Sequence, residues 1–403
     1  MLTRRAFLET SLQASAALAA SPAAPPKRIA ILATTYRLQS HAQQMGDRFL
    51  VGYPYGGAWR RPNARVVSLY VDQTQEGDLS TARAREFGFQ VYPTISEALR
   101  CGGKQLAVDA VLLIAERGRS EFFEQCVKVF DQDRRAIPVF HDERLSDSFE
   151  KAKAMVDASR RLHFPMLAGS SIPVTWRLPS IELPLDCAIE EALMVGEGGS
   201  DATDFDAIEG LQCMVERRRG GESGVRAVQL IQGDAVWKAG AAGRYSRDLL
   251  TAALSRSDTP LGLTVTDGRT QDLVASNELP NLVKSPAAYC IEYRDGLKAT
   301  MLMLDGAIKD FNFAARLKGS REIWSTQFLL TPDPNVTYSA CLIDKVEQMF
   351  ETGAAPYPVE RTLLTSGILE SCLTSKLRDN ARLETPHLQV AYHPPRVSQF
   401  AQT

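Results

Sequence analysis

The first part of the chain is a series of short apolar runs separated by stretches of helical spacing. Arg28-Ile29-Ala30-Ile31-Leu32-Ala33, Arg65 to Val71, Val91-Tyr92, Val108 to Ala115 and Ile137 to Phe140 are continuous rather than alternating, as strands buried on both faces are. Between them Gln39 to Phe49, Ala82 to Phe87, Ile95 to Arg100 and Phe122 to Asp131 read as helices, and the Gly- and Pro-bearing segment Val51 to Pro62 as a long loop. Strand and helix alternating in this way predict an α/β fold with a doubly wound parallel sheet, its crossovers right-handed and its helices on both faces. Ligands of such sheets bind beyond the carboxyl ends of the strands. Thr34, Thr35 and Tyr36, Asp72, Glu116 and Arg117, and His141 to Arg144 are expected there.

Later runs behave differently. Ala188 to Gly196, Val225 to Gly233, Ala287 to Arg294 and Ala299 to Leu304 suit strands of a mostly antiparallel sheet, with helices over Phe205 to Arg218, Leu342 to Glu351 and Thr362 to Arg378. The expected layout is a leader over 1–26, a parallel-sheet domain over 27–165 and a second α/β domain with a large open sheet over 166–403.

The leader reading rests on Thr3-Arg4-Arg5-Ala6-Phe7-Leu8 ahead of the apolar run Leu12 to Ala20 and the small residues of Ser21-Pro22-Ala23-Ala24. It resembles a twin-arginine export signal, too short to act as a stable membrane anchor, which implies a periplasmic or otherwise exported protein. With Lys+Arg 46 against Asp+Glu 48, the 403-residue chain lacks the basic excess of a nucleic-acid binder. Its 44% hydrophobic and 23% charged residues are those of a packed globular protein. Seven scattered cysteines, without a Cys-x-x-Cys pair, show neither a disulfide framework nor a zinc motif.

The first strand, Asp72 after the second, Val91-Tyr92-Pro93-Thr94-Ile95-Ser96-Glu97-Ala98-Leu99, the strand opening Val108-Asp109-Ala110-Val111, and Val139 to Leu145 form an ordered series. It resembles the Rossmann-type half of the Gfo/Idh/MocA oxidoreductases, and the likeness runs from Lys27 to about Val390. The resemblance implies NAD or NADP as cofactor, a sugar, cyclitol or related hydroxy compound as substrate, and a large open sheet that packs against a second copy of the chain.

Three of that family's landmarks are altered. Its Gly-x-Gly-x-x-Gly turn is replaced by Ala33-Thr34-Thr35-Tyr36-Arg37-Leu38, so phosphate contact would fall to Thr34, Thr35, Tyr36 and Arg37 side chains rather than to a bare backbone; a turn that merely links strand to helix is the competing reading. Asp72 is placed to accept a ribose hydroxyl, with Glu116 on the same rim; a strand-end Asp opening a turn is the competing reading. The Glu-Lys-Pro phrase is matched by Asp142-Glu143-Arg144, which puts a carboxylate where the lysine stands. His141 then becomes the expected acid or base, against a strand-end His that only satisfies backbone, and Arg144 the expected oxyanion-orienting cation. The family's helical histidine is matched by Asp206, with Glu209 on the same face; carboxylates at that spacing can share a proton or hold a cation. Against this stands a helix start with Thr203 and Asp206 as a capping box.

Ser170, Ser171, Trp176 and Arg177 lie at the crossover between domains and are expected to grip substrate. Tyr53, Tyr55, Trp59, Arg60 and Arg61 suit a sugar, a nucleotide ring or a protein surface equally. No metal site is assigned. A nicotinamide-dependent oxidoreductase is the principal expectation. Its alternatives are a catalytically degenerate relative that binds or scaffolds, and a lyase using the same cleft.

Overall fold

The computed structural model describes residues 25–261 and 272–402, so the leader lies outside the described residues apart from its last two. The chain runs β1 (Lys27–Ala33), α1 (His41–Val51), β2 (Tyr53–Tyr55), β3 (Ala58–Arg60), β4 (Ala64–Val71), α2 (Ser80–Phe87), β5 (Gln90–Tyr92), α3 (Ile95–Arg100), β6 (Ala110–Ile114), α4 (Arg119–Asp133), β7 (Val139–Asp142), α5 (Phe149–Leu162) and β8 (Met166–Gly169). Six of these strands form one parallel sheet in the order β5-β4-β1-β6-β7-β8, which reverses direction between β1 and β6. Ile29 to Ala33 and Ala110 to Ile114 are buried throughout, which explains why the central strands are unbroken apolar runs. Ser40 caps α1 by accepting the Gln43 N–H, and Thr94 and Ser148 cap α3 and α5 in the same way.

The second lobe follows with β9 (Arg177–Leu178), β10 (Ile189–Gly196), α6 (Asp201–Val215), β11 (Val225–Gln232), α7 (Asp234–Ala241), α8 (Arg247–Leu254), α9 (Leu279–Leu282), β12 (Ala287–Tyr293), β13 (Lys298–Met303), β14 (Phe311–Leu317), β15 (Ile323–Phe328), α10 (Tyr338–Thr352), α11 (Glu360–Leu377) and β16 (Leu383–Glu384). Its sheet has the order β16-β11-β12-β13-β10-β14-β15-β9, antiparallel except for the β10–β13 pair. The two-sheet α/β expectation holds.

Three particulars differ from the sequence expectation. The parallel sheet takes its last strand, β8, from beyond residue 165, and α10 packs Leu342, Val346 and Phe350 with Ile29, Ile31 and Phe49 of the first lobe. The lobes are therefore interleaved in sequence. The open sheet face expected to need a partner copy is covered by the chain itself. Leu193, Val195, Leu302 and Ala314 pack under Val236 of α7, Leu249, Leu250 and Ala253 of α8, and Leu279 of α9. The apolar demand that pointed to a homo-oligomer is met there within one chain. The expected loop Val51 to Pro62 contains a hairpin, β2–β3, in which Tyr53 is buried with its hydroxyl on Glu347 and Arg60 pairs with Asp344. It is thus braced on α10.

All seven cysteines are free, five of them buried. Among the described residues no helix is long and apolar enough to cross a membrane.

Candidate active site

At the β1–β6 crossing point the strand ends are tied together. The Thr34 N–H donates to Ile114 O, its hydroxyl to Arg117 O, and the Thr35 hydroxyl reaches Glu116 at 3.5 Å. On the other side Gln73 N–H donates to Thr34 O and Leu79 N–H to Tyr36 O. Thr34, Thr35 and Tyr36 are buried, the Tyr36 hydroxyl donating to Asp47. Arg37, Asp72, Glu116 and Arg117 remain exposed on the rim, Asp72 accepting the Tyr70 hydroxyl at 2.9 Å.

The polar groups converge elsewhere, at the β7 end. His41, the first residue of α1, is seven residues beyond Thr34 because the loop without glycines runs on to Ser40 before the helix begins. Its Nδ1 lies 2.8 Å from Asp142 Oδ2 and 3.8 Å from Glu143 Oε1. Glu143 has φ 63°, a left-handed turn that a non-glycine residue rarely takes, so consecutive residues present both carboxylates to one imidazole. The Asp142 carboxylate raises the His41 pKa to about 10 against the opposing effect of burial, with Glu143 and Asp206 adding to the rise. Burial, then the Asp206 and Asp142 charges, push the Glu143 carboxyl well above the usual range.

From the second lobe α6 contributes Asp206 and Glu209. The helix cap is Ser200 with Thr203, each side chain bonding the other's backbone N–H, so Asp206 is not the capping partner. Burial lifts Asp206 to about 7, moderated by a Ser170 hydrogen bond and the His41 charge. Glu209 has another task. It is 1% exposed, and its oxygens accept the Ser170 N–H at 2.7 Å, the Thr362 hydroxyl at 2.9 Å and the Thr365 hydroxyl at 3.3 Å. That saturated carboxylate pins the β8 end to α11. Gly169 is required beside it, with φ 118° and room so tight that a Cβ would meet Glu209 Oε2 at 2.5 Å.

Several expected site residues are turned elsewhere. His141 alternates with Asp142 along β7 and therefore points to the opposite face of the sheet. It is fully buried, its ring nitrogens have no hydrogen-bond partner among the described residues, and burial with the Arg119 charge lowers its pKa to about 3. It stays neutral and closed off, and cannot serve as the expected acid or base. Arg144 lies 2.8 Å from Asp147. Arg177 is a buried clamp, its guanidinium on Pro173 O and Ile181 O and over the rings of Phe328 and Phe400, so it cannot hold a ligand. Trp176 packs on the first lobe's core, and the Ser171 carbonyl closes the turn at Val174 and Thr175. Of the crossover segment only Ser170 reaches the cluster.

Two residues of the site lacked a sequence signal of their own. His41 would have been found only by knowing that the helix begins late. Tyr338, at the start of α10, has its pKa raised to about 12 by burial and by the charges of Asp206, Asp333 and Glu143, so it lies within electrostatic reach of the cluster.

No protein-family model matches the sequence, and no curated protein matches it significantly. Solved structures do match in fold. The enzyme GenD2 of gentamicin A biosynthesis, in complex with NAD, matches with TM-score 0.55 and 12% identity over 90% of this chain and 97% of that chain. The myo-inositol dehydrogenase of Lactobacillus casei, in complex with NAD(H) and myo-inositol, gives TM-score 0.53 and 11% identity over 89% and 96%. The myo-inositol 2-dehydrogenase of Lactobacillus plantarum gives TM-score 0.53 and 11% identity over 89% and 99%. This chain has the two-lobe fold of those enzymes.

Proposed function

We propose that the protein is a nicotinamide-dependent oxidoreductase acting on a sugar, cyclitol or related hydroxy compound, with Asp206 as its proton acceptor. Asp206 carries the reading. It occupies the α6 position of the resembled family's histidine, and burial brings its pKa to about 7, where a general base works best. The fold neighbours that hold NAD support the cofactor class.

The residues fit a dinucleotide through side chains rather than through a glycine turn. Asp72 is exposed at the end of β4 for a ribose hydroxyl, and Arg37 and Arg117 offer guanidinium groups to a diphosphate. A bound nicotinamide would supply the hydride acceptor or donor. The chain's own residues manage the proton and the substrate. Asp206 takes the hydroxyl proton as the carbon is oxidised and returns it in the reverse direction. His41, its Nδ1 on Asp142 and its side chain 46% exposed, lies within electrostatic reach of Asp206 on the open side of the cluster. Glu143 stands where the family has lysine, its carboxyl pushed upward by burial and by the Asp206 and Asp142 charges. Ser170 hydrogen-bonds Asp206, and Tyr338 lies within electrostatic reach of Asp206 and Glu143.

Calorimetric titration with NAD and NADP tests this directly. Saturable binding of one of them, abolished in Arg37→Ala/Asp72→Ala, is expected; binding of neither removes the proposal. One observation favours a second reading, that of a non-redox relative: the turn after β1, Thr34 to Leu38, has none of the glycines that let a backbone approach a diphosphate. The same titration decides between the two. Export through the twin-arginine route is part of the proposal, and Arg4→Lys/Arg5→Lys should leave the protein in the cytoplasmic fraction.

A further inference from the structure

We propose that His41, Asp142 and Glu143 form a site for one first-row divalent cation, of the Zn2+ or Mn2+ kind, opening on the interlobe cleft. One ligand atom from each of the three lies within 4.8 Å of the others. Bonds of about 2.1 Å at tetrahedral angles put ligand atoms ~3.4 Å apart. The observed His41–Asp142 and His41–Glu143 separations, 2.8 and 3.8 Å, lie on either side of that value.

A second observation points the same way. Asp142 is 4% exposed, its carboxylate is aimed at His41 through Oδ2, and Oδ1 is buried with no hydrogen-bond partner among the described residues. A buried carboxylate oxygen without a donor is costly unless a cation answers it. A simple imidazolium–carboxylate pair does not account for the cluster. Glu143 and Asp206 converge on it as well, and Arg119, though within electrostatic reach of Asp142 and Glu143, forms no ion pair with either among the described residues. Three carboxylates face one imidazole. A mixed nitrogen and oxygen donor set suits Zn2+ or Mn2+ better than Ca2+, which takes oxygens only. His41 is the most exposed of the three while Asp142 is buried, so an ion from solvent reaches the cluster from the His41 side. The inference does not depend on a nucleotide being bound.

The test is calorimetric titration of the full-length protein, stripped with chelator, using ZnCl2 and MnCl2, followed by thermal unfolding with and without metal. One equivalent of at least one metal should bind and raise the Tm. His41→Ala and Glu143→Gln should each weaken binding by at least about tenfold and lose the Tm rise. Asp157→Asn, on the exposed side of α5, should change neither. Glu143→Gln serves if His41→Ala folds poorly, because the Glu143 side chain is at the cleft margin. No saturable binding to the wild type, or equal affinity in wild type and Glu143→Gln, overturns the site. Metal binding without nucleotide binding keeps this inference and removes the preceding proposal; nucleotide binding without metal does the reverse.

Discussion

The centre of the parallel sheet and its β7 side end in the same direction, yet their polar residues do opposite things. At the β1 and β6 ends, Thr34 and Thr35 spend their polar groups on their neighbours, leaving Arg37, Asp72, Glu116 and Arg117 exposed on the rim. At the β7 end the chain turns at a positive φ, and Asp142 and Glu143 meet His41 from α1 and Asp206 from the other lobe. A place at a strand end decides where a side chain can act. What it does depends on the donors and acceptors that other elements bring, and those come from residues distant in sequence.

Breaking the support beneath the β7–β8 side should have the largest effect. Gly169→Ala places a Cβ against the Glu209 carboxylate at a backbone angle that disfavours alanine. A loss of roughly 3–5 kcal/mol, read from the urea midpoint, is expected; an unchanged midpoint would show that the Glu209 buttress is not needed. Asp206→Asn should lower kcat by about 10²–10⁴ with little change in Tm, and the wild-type oxidation rate should fall below pH 7 as Asp206 takes up a proton. A variant of near-normal activity would move the base elsewhere.

The His41–Asp142 pair gives a subtler result. Its folded-state pKa, about 10, lies above the unfolded value of 6.5, so the stability it lends is fully present below pH 6.5 and is lost as pH rises through 10. The Tm difference between wild type and His41→Gln should therefore be largest in mild acid and shrink above pH 7. A difference flat across that range would deny the coupling. Smallest of all, Thr35→Ala removes one long hydrogen bond to an exposed carboxylate and should cost about 0.5 kcal/mol. A much larger cost would mean that the centre is held as rigidly as the β7 side.

Most of the fold was legible because burial on both faces demands continuous apolar runs, and β1 and β6 show them. Asp206 was singled out as the match to the resembled family's helical histidine, and in the structure it lies within electrostatic reach of His41 and Glu143, while Glu209 on the same face braces β8. His141 misled because a strand reverses its facing at every residue; a reading that placed the rim correctly still picked the neighbour of the residue that faces the cleft. Arg177 misled because a guanidinium near a domain junction looks the same in sequence whether it greets a ligand or closes over Phe328 and Phe400.

The order of residues alone fixed the layers, the strand succession and the edge at which chemistry gathers, because periodicity and turn residues act locally along the chain. Only the tertiary structure decided that His41 and not His141 meets Asp142, that Glu209 braces β8 while Asp206 is desolvated near His41, and that α7 to α9 cover the second sheet. Those outcomes depend on which distant groups desolvate, charge or cover one another, and no local pattern carries that information.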